Sequence, residues 1–192
     1  MVWAGAGNDT IVASAGDDQI DGESGIDIVD YSAVQMGRYG VGLTADVLNF
    51  SFSGMGVGTD QVFNVDAIIA SAVNDRISGG FNAERFQIGA GNDTASGNFA
   101  NDTLRGQGGD DRLTGGSGHD LMIGGTGRDG FVFDAALTAA NVDHVADFTA
   151  VDDTIQLVRT GAGPFDALAF GALDPSAFHL GIVATRAGQH VL

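Results

Sequence analysis

The sequence contains no cysteine, only two prolines and only eight basic residues among its 192 residues. Without cysteine, neither disulfide bonds nor thiolate metal sites can form. Nucleic acid is excluded as a partner, because its binding relies on Lys and Arg that neutralise phosphates, and here 25 acidic residues face eight basic ones. No apolar run approaches the ~20 residues that a membrane-spanning helix requires.

Motifs of familiar enzyme classes are also missing. The zinc-protease motif HExxH does not occur, and no histidine has a second histidine four residues away. The GxSxG turn of serine hydrolases is absent, and strings such as GAGNDT lack the third glycine of a dinucleotide-binding loop. The stretch from Asp17 to Gly22 begins like an EF-hand, but Ile28 stands where that loop requires Glu. No catalytic residue is therefore predicted in this chain.

What the sequence does contain is glycine and acid at regular intervals. Asp93, Asp102, Asp111, Asp120 and Asp129 follow one another at nine-residue spacing. From residue 106 the repeats read GQGGDDRLT, GGSGHDLMI and GGTGRDGFV, with small residues at positions 1 to 4, an acid at position 6 and usually an apolar residue at position 8. This pattern is typical of the calcium-binding nonapeptide of a parallel β-helix.

The charge balance supports the same interpretation. The net charge is −17, and folding stacks many of these carboxylates side by side, where like charges repel strongly. A divalent metal offsets that repulsion economically, since about eight such ions would cancel the whole net charge. Low-complexity disorder is the alternative for a chain with 31 glycines. Disorder is expected more strongly in calcium-free buffer, where the repulsion between the carboxylates is not offset.

The repeats fall into two blocks that are separated along the chain. Between Asp27 and Asp75 the spacing is not a multiple of nine, so the intervening residues, with their alternating apolar stretches and the turn sequence SGMGVG, are predicted to form strands. After Val132 the glycines thin out, as in the cap that closes a solenoid. The predicted organisation is a first block at 1–30, a β insertion at 31–69, a second block at 70–132, and a C-terminal β cap with a secretion-signal region at 133–192.

The predicted sites follow from a coil that contains two repeats. Acids two repeats apart then stack on one face, so an ion between adjacent coils takes one carboxylate from each and backbone carbonyls from glycine-rich loops. The best sites are expected between Asp93 and Asp129. The acids predicted as metal ligands are Asp9, Asp18, Asp27, Asp75, Asp93, Asp102, Asp111, Asp120 and Asp129. The glycines predicted to bring backbone carbonyls to the ions are Gly106, Gly108, Gly115, Gly116, Gly118, Gly124, Gly125 and Gly127.

These nonapeptides resemble the repeats-in-toxin (RTX) family, the hemolysin-type calcium-binding β-roll. The stretch GGTGRDGFVFDAALTAANVDHVADFTAVDDTIQL is similar to the C-terminal region of serralysin-type metalloproteases. The resemblance implies an all-β, right-handed parallel β-roll that holds several calcium ions. It also implies a secreted bacterial protein that leaves the cell by the type I secretion machinery, without an N-terminal signal peptide.

Two functions from different classes remain open at this point. The first is a calcium-binding module that folds outside the cell and supports export of a covalently linked upstream domain. The second is the C-terminal fragment of an extracellular enzyme, such as a metalloprotease, lipase or polysaccharide-modifying enzyme, whose catalytic domain lies elsewhere. An adhesive repeat protein is a third alternative. Because Met1 is followed almost at once by a repeat, the sequence is expected to be cut from a longer chain or to start at a misplaced codon.

Overall fold

The structure, a computed structural model, describes residues 1–34, 42–54, 56–135 and 138–158, and the backbone of residues 178–179 and 190–191. Every helix or strand within those residues is a β-strand. The first nine strands are Val2–Trp3 (β1), Thr10–Val12 (β2), Gln19–Asp21 (β3), Ile28–Asp30 (β4), Thr44–Asp46 (β5), Ser51–Gly54 (β6), Gly58–Phe63 (β7), Ala67–Ile69 (β8) and Arg76–Ser78 (β9). The others are Arg85–Ala90 (β10), Thr94–Phe99 (β11), Thr103–Gly108 (β12), Arg112–Ser117 (β13), Leu121–Thr126 (β14), Gly130–Phe133 (β15), His144–Val145 (β16), Thr154–Leu157 (β17), Phe178–His179 (β18) and His190–Val191 (β19).

Seventeen of these strands belong to two large sheets, and strands that follow one another along the chain mostly alternate between the two sheets. The first sheet has the order β1-β3-β7-β6-β5-β9-β11-β13-β15-β17, and the second has the order β16-β14-β12-β10-β8-β4-β2. Among the described residues of both sheets, the pairing is parallel except in the β5–β6 and β6–β7 hairpins. The chain therefore winds from one sheet to the other and back, and the prediction of an all-β parallel β-roll is confirmed.

The register shows that one coil contains two repeats. In the second sheet Arg85 pairs with Thr103, and Thr103 pairs with Leu121. In the first sheet Thr94 pairs with Arg112 in the same way. Each residue thus lies beside the residue at the same position of the repeat two nonapeptides later. Because paired residues occupy the same repeat position, the acids and the apolar side chains each form continuous columns along the roll.

The core is the column of position-8 residues between the sheets. In a short strand the side chains alternate between the two faces, so the second residue of each repeat strand points inward. Ile11 is 8 % exposed, and nine others are at most 2 % exposed: Ile20, Val29, Ile77, Phe86, Ala95, Leu104, Leu113, Met122 and Phe131. Each larger one contributes roughly 1.5–3 kcal/mol by burial.

The segment between β4 and β8 adds strands to the first sheet only. In the second sheet β4 pairs directly with β8, with Ile28 opposite Ala67. In the first sheet β5, β6 and β7 form an antiparallel meander between β3 and β9. Phe52 of β6 is completely buried in the core, so the meander continues the hydrophobic column.

Beyond β15 the coil becomes longer. Gly130 pairs with Thr154 and Leu121 pairs with His144, so the loops to β16 and β17 contain more residues than those of the repeats. The predicted secretion-signal region lies outside the described residues, apart from the backbone pairing of β18 with β19. No helix in the described part of the chain is long and apolar enough to cross a bilayer.

Candidate metal centre

The position-6 acids form a ladder of hydrogen bonds from coil to coil. The amide of Asp75 donates to Oδ1 of Asp93 at 2.7 Å, the amide of Asp93 to Oδ1 of Asp111 at 2.9 Å, and the amide of Asp111 to Oδ1 of Asp129 at 3.0 Å. Each carboxylate therefore reaches back to the preceding coil. These four acids stack on one face, as the coil of two repeats predicts.

The same ladder runs along the opposite face and through the N-terminal repeats. The amide of Glu84 donates to Oδ1 of Asp102 at 2.8 Å, and the amide of Asp102 donates to Oδ1 of Asp120 at 2.8 Å. In the N-terminal repeats the amide of Asp9 donates to Oδ1 of Asp27 at 2.9 Å. One carboxylate oxygen of each acceptor is thus committed to the backbone, and the other is left for a different partner.

Four ladder acids were not predicted from the sequence. The amide of Asp18 donates to Asp60, that of Asp27 to Asp66, that of Asp120 to Asp143, and that of Asp129 to Asp153. A signal for them was present. Like the repeat acids, each is followed two positions later by an apolar residue, and Asp66 lies nine residues before Asp75. The four acids are Asp60, Asp66, Asp143 and Asp153.

The second carboxylate oxygens are the most informative feature of the ladder. Six Oδ2 atoms are buried and have no hydrogen-bond partner among the described residues. They fall into three pairs of acids from adjacent coils: Asp9 with Asp27, Asp93 with Asp111, and Asp102 with Asp120. A buried carboxylate oxygen without a partner is strongly unfavourable. Each pair therefore calls for a cation between adjacent coils.

When no cation is present, burial favours the protonated form of Asp93, Asp102 and Asp111. Burial, the largest cause, raises the pKa of Asp93 and of Asp102 to about 7 and that of Asp111 to about 6. Carboxylates in neighbouring coils raise these values further, as Asp111 and Asp75 do for Asp93. Without a metal ion, the fold thus disfavours the ionised form of these repeat acids.

Most of the predicted glycines are required for one of two structural reasons. At position 1, a Cβ on Gly106 would collide with Oδ2 of Asp111 and with the Gly124 carbonyl, and Gly115 and Gly124 stand in the same relation to Asp120 and Asp129. At positions 2 and 4 the backbone is left-handed, as at Gly116, Gly118, Gly125 and Gly127, a region that L side chains avoid. Gly108 has neither feature, and an added Cβ there would approach only Thr126.

The donor set fits a hard cation. Each pair offers two carboxylates, and no group of three or more His, Cys, Asp or Glu side chains in the described residues is arranged to hold a metal. Backbone oxygens are available beside the carboxylates, since the Gly124 carbonyl and Oδ2 of Asp111 both lie against Gly106. Calcium takes six to eight oxygen ligands from carboxylates and carbonyls, whereas zinc sites use sulfur and nitrogen. The residues present therefore fit calcium.

A second ladder, at position 5, was missed by the sequence reasoning. Oδ1 of Asn74 accepts from the amide of Asn92 at 2.8 Å, and Oδ1 of Asn92 accepts from the amide of Asp110 at 3.0 Å. Asp110 in turn accepts from the amide of Arg128 and forms an ion pair with its guanidinium at 2.6 Å. These side chains reach forward along the roll, while the position-6 acids reach back. The two ladders together hold each loop from both sides.

Comparison with known proteins matches the repeats alone. A protein-family model described as the RTX calcium-binding nonapeptide repeat, in four copies, matches residues 1–29, 64–95 and 96–131, about half of the chain. No curated protein shows significant similarity to the chain. Because the match ends at residue 131, the resemblance of the C-terminal region to serralysin-type metalloproteases stays a prediction.

Proposed function

Since the chain belongs to the family of RTX calcium-binding nonapeptide repeats, we propose that it is a secreted module that folds on binding calcium outside the cell and supports type I secretion. The matched repeats are a calcium-binding module, and such repeats are typical of extracellular bacterial proteins. The position-6 acids and loop glycines predicted from the sequence are the proposed ligands, and several calcium ions are the proposed metal that they bind. The proposed partners are the type I secretion machinery and a covalently linked passenger domain.

The three pairs of unpartnered carboxylate oxygens carry this proposal. Each pair joins two coils, so neither half of a site exists before the coils have stacked. Binding free energy then becomes folding free energy, as in other metal-dependent domains. A calcium-poor cytosol would keep the calcium-binding repeats unfolded for export, and calcium outside the cell would fold them.

A calcium titration tests this proposal. We expect the far-UV circular dichroism of the chain to change cooperatively from mostly coil in chelator to β at a calcium midpoint of ~10⁻⁴–10⁻³ M, the range of extracellular calcium modules. Magnesium is the control, because it demands near-octahedral geometry and dehydrates reluctantly, and it should not replace calcium. A β spectrum that is already complete in chelator would contradict the proposal.

Acidification in chelator should restore part of the β structure that chelation removes. Since the folded pKa values of about 6 to 7 for Asp93, Asp102 and Asp111 lie above the ordinary value for Asp, these carboxyls take up protons on folding. Their stabilisation of the metal-free fold is complete below about pH 4 and is lost as the pH rises through about 6 to 7.

Circular dichroism in chelator between pH 8 and pH 5 measures this effect. Asp102→Asn should weaken the pH dependence, because it removes one titrating carboxyl. Asp110→Asn is the control, since Arg128 holds the pKa of that exposed carboxyl below its usual value. A β content that stays constant or falls on acidification would show that the buried acids do not govern the metal-free fold.

A further inference from the structure

Not every ladder acid has an oxygen to offer to a cation. Asp60 is completely buried, its Oδ1 accepts from the amide of Asp18 at 2.9 Å, and its Oδ2 accepts from the hydroxyl of Tyr31 at 2.8 Å. Both carboxylate oxygens are therefore occupied by the protein itself. Tyr31 is also completely buried, and its ring stacks on Phe52 with centroids 5.9 Å apart. The hydroxyl is held in place by the core of the meander.

Asp75 is satisfied in a comparable way. Its Oδ1 accepts from the amide of Leu43 at 2.5 Å and from the hydroxyl of Ser71 at 2.6 Å, and its Oδ2 accepts from the amide of Ser71 at 2.7 Å. Ser71 is buried beside it. Neither Asp60 nor Asp75 is among the acids with an unpartnered buried oxygen, so Asp75, which the repeat pattern predicts as a metal ligand, leaves the proposed ligand set.

Along the chain, these two acids lie between two groups of unpartnered oxygens. Those of Asp9 and Asp27 precede the meander, and those of Asp93, Asp102, Asp111 and Asp120 follow it. In space, the meander belongs to the first sheet, with the strands that follow Asp93 and Asp111, whereas the strands that follow Asp9 and Asp27 belong to the second sheet. Between the two groups along the chain, the core residues Leu43, Phe52 and Val57 are at most 1 % exposed. This segment thus has a hydrophobic core and satisfied carboxylates, and it does not depend on a cation for either.

We infer that the calcium array is interrupted by a metal-free seam, formed by Tyr31, Leu43, Phe52, Asp60, Ser71 and Asp75, in which protein hydroxyl and amide groups stand where calcium binds elsewhere. The inference rests on the proposed function and refines it. Calcium fills one array before the seam and one array after it, and the seam keeps its structure when calcium is removed. Because its strands pair with β3 of the N-terminal repeats and, through β9, with β11 of the second array, the seam serves as the preformed surface on which the N-terminal repeats and the second array stack.

Hydrogen exchange of the full chain in chelator, read by mass spectrometry, tests the seam. Amides of residues 42–54 and 56–71 should exchange at least about tenfold more slowly than those of residues 93–113, the ratio expected from hydrogen bonds to buried charged groups. Calcium should then slow exchange in residues 93–113 and change it little in the seam. Uniform exchange along the chain in chelator would overturn the seam.

Two variants compare the loss of the buried Tyr31 hydroxyl with the loss of an exposed hydroxyl. Tyr31→Phe keeps the ring but leaves Oδ2 of Asp60 without its donor, so protection of the seam in chelator should fall by about tenfold. Ser14→Ala is the matched control, since the Ser14 hydroxyl donates to the exposed Oδ2 of Asp18 at 2.7 Å, and it should leave that protection unchanged. Equal effects of the two variants would contradict the assigned role of Tyr31.

Calcium stoichiometry provides a test that does not depend on the stability of the seam. Asp60→Asn should bind as many calcium ions as the wild type in equilibrium dialysis, whereas the matched Asp102→Asn should bind fewer. Loss of ions in Asp60→Asn would overturn the inference and leave the proposed function intact. Failure of the wild type to bind calcium would overturn the proposed function instead.

Discussion

Gly127→Ala is expected to destabilise the calcium-loaded roll far more than Gly7→Ala, although both glycines occupy position 4 of a repeat and have a φ of 132°. The left-handed strain is the same at the two sites and costs roughly 1–3 kcal/mol. The surroundings differ. A Cβ at Gly127 would collide with the Gly109 carbonyl of the preceding coil, whereas a Cβ at Gly7 would meet nothing within 4 Å.

The collision at Gly127 also affects the proposed metal ligands. To accommodate a methyl group, the coils must separate where the amide of Asp111 donates to Oδ1 of Asp129 at 3.0 Å. We therefore expect a total loss of about 4 kcal/mol or more, a magnitude reserved for disrupted packing and networks. Denaturant unfolding at saturating calcium, followed by circular dichroism, measures both variants. Equal losses would mean that strain alone, and not the close approach of coils, requires glycine at this position.

Asp111→Asn is expected to raise the calcium concentration at the folding midpoint by ~10-fold or more, since even the loss of groups that only support metal ligands typically costs 10–100-fold in affinity. The amide can still accept from Asp93 through its oxygen, so the ladder persists. What is lost is one negative charge and one carboxylate oxygen that is buried without a partner. Because Asp111 lies between Asp93 and Asp129 in the stack, the change affects the interfaces with both neighbouring coils.

The adjacent residue provides the control. Asp110→Asn makes the same chemical change at position 5, and Asn92 shows that an amide at this position accepts the same backbone hydrogen bond. Its salt bridge to Arg128 is exposed, and exposed ion pairs contribute little to stability. We expect its midpoint to stay within about twofold of the wild type. Titrations by circular dichroism compare the two variants, and similar midpoints would refute the assignment of position 6 as the ligand position.

The repeated part of the fold could be predicted because its information is local. An acid, two positions later an apolar residue, and glycines before them recur every nine residues, so the same short strand and the same loop recur as well. The pairing of Thr94 with Arg112 and the stacking of Asp93 on Asp111 follow from that period alone. The missed acid Asp66 belongs to the same period and could have been found from it.

Position 5 shows why other parts of the site were not predicted. Asn92 looks like a variable residue in the repeat, yet its side chain accepts from one coil while its own amide donates to the other. That role appears only when the coils stack at a fixed height. Asp143 and Asp153 were missed for a similar reason, because the longer C-terminal loops place them in the ladder without the nine-residue spacing.

The sequence by itself determined the strand period, the coil of two repeats, the inward apolar column and the positions at which carboxylates stack. It did so because each depends on residues within one or two nonapeptides. Only the tertiary structure decided which of those carboxylates are left without a partner. Tyr31 lies 29 residues from Asp60 along the chain, and no local pattern connects them. The antiparallel meander folds back and brings that hydroxyl to the carboxylate, so the proposed division between calcium-binding and metal-free acids depends on the return path of the chain.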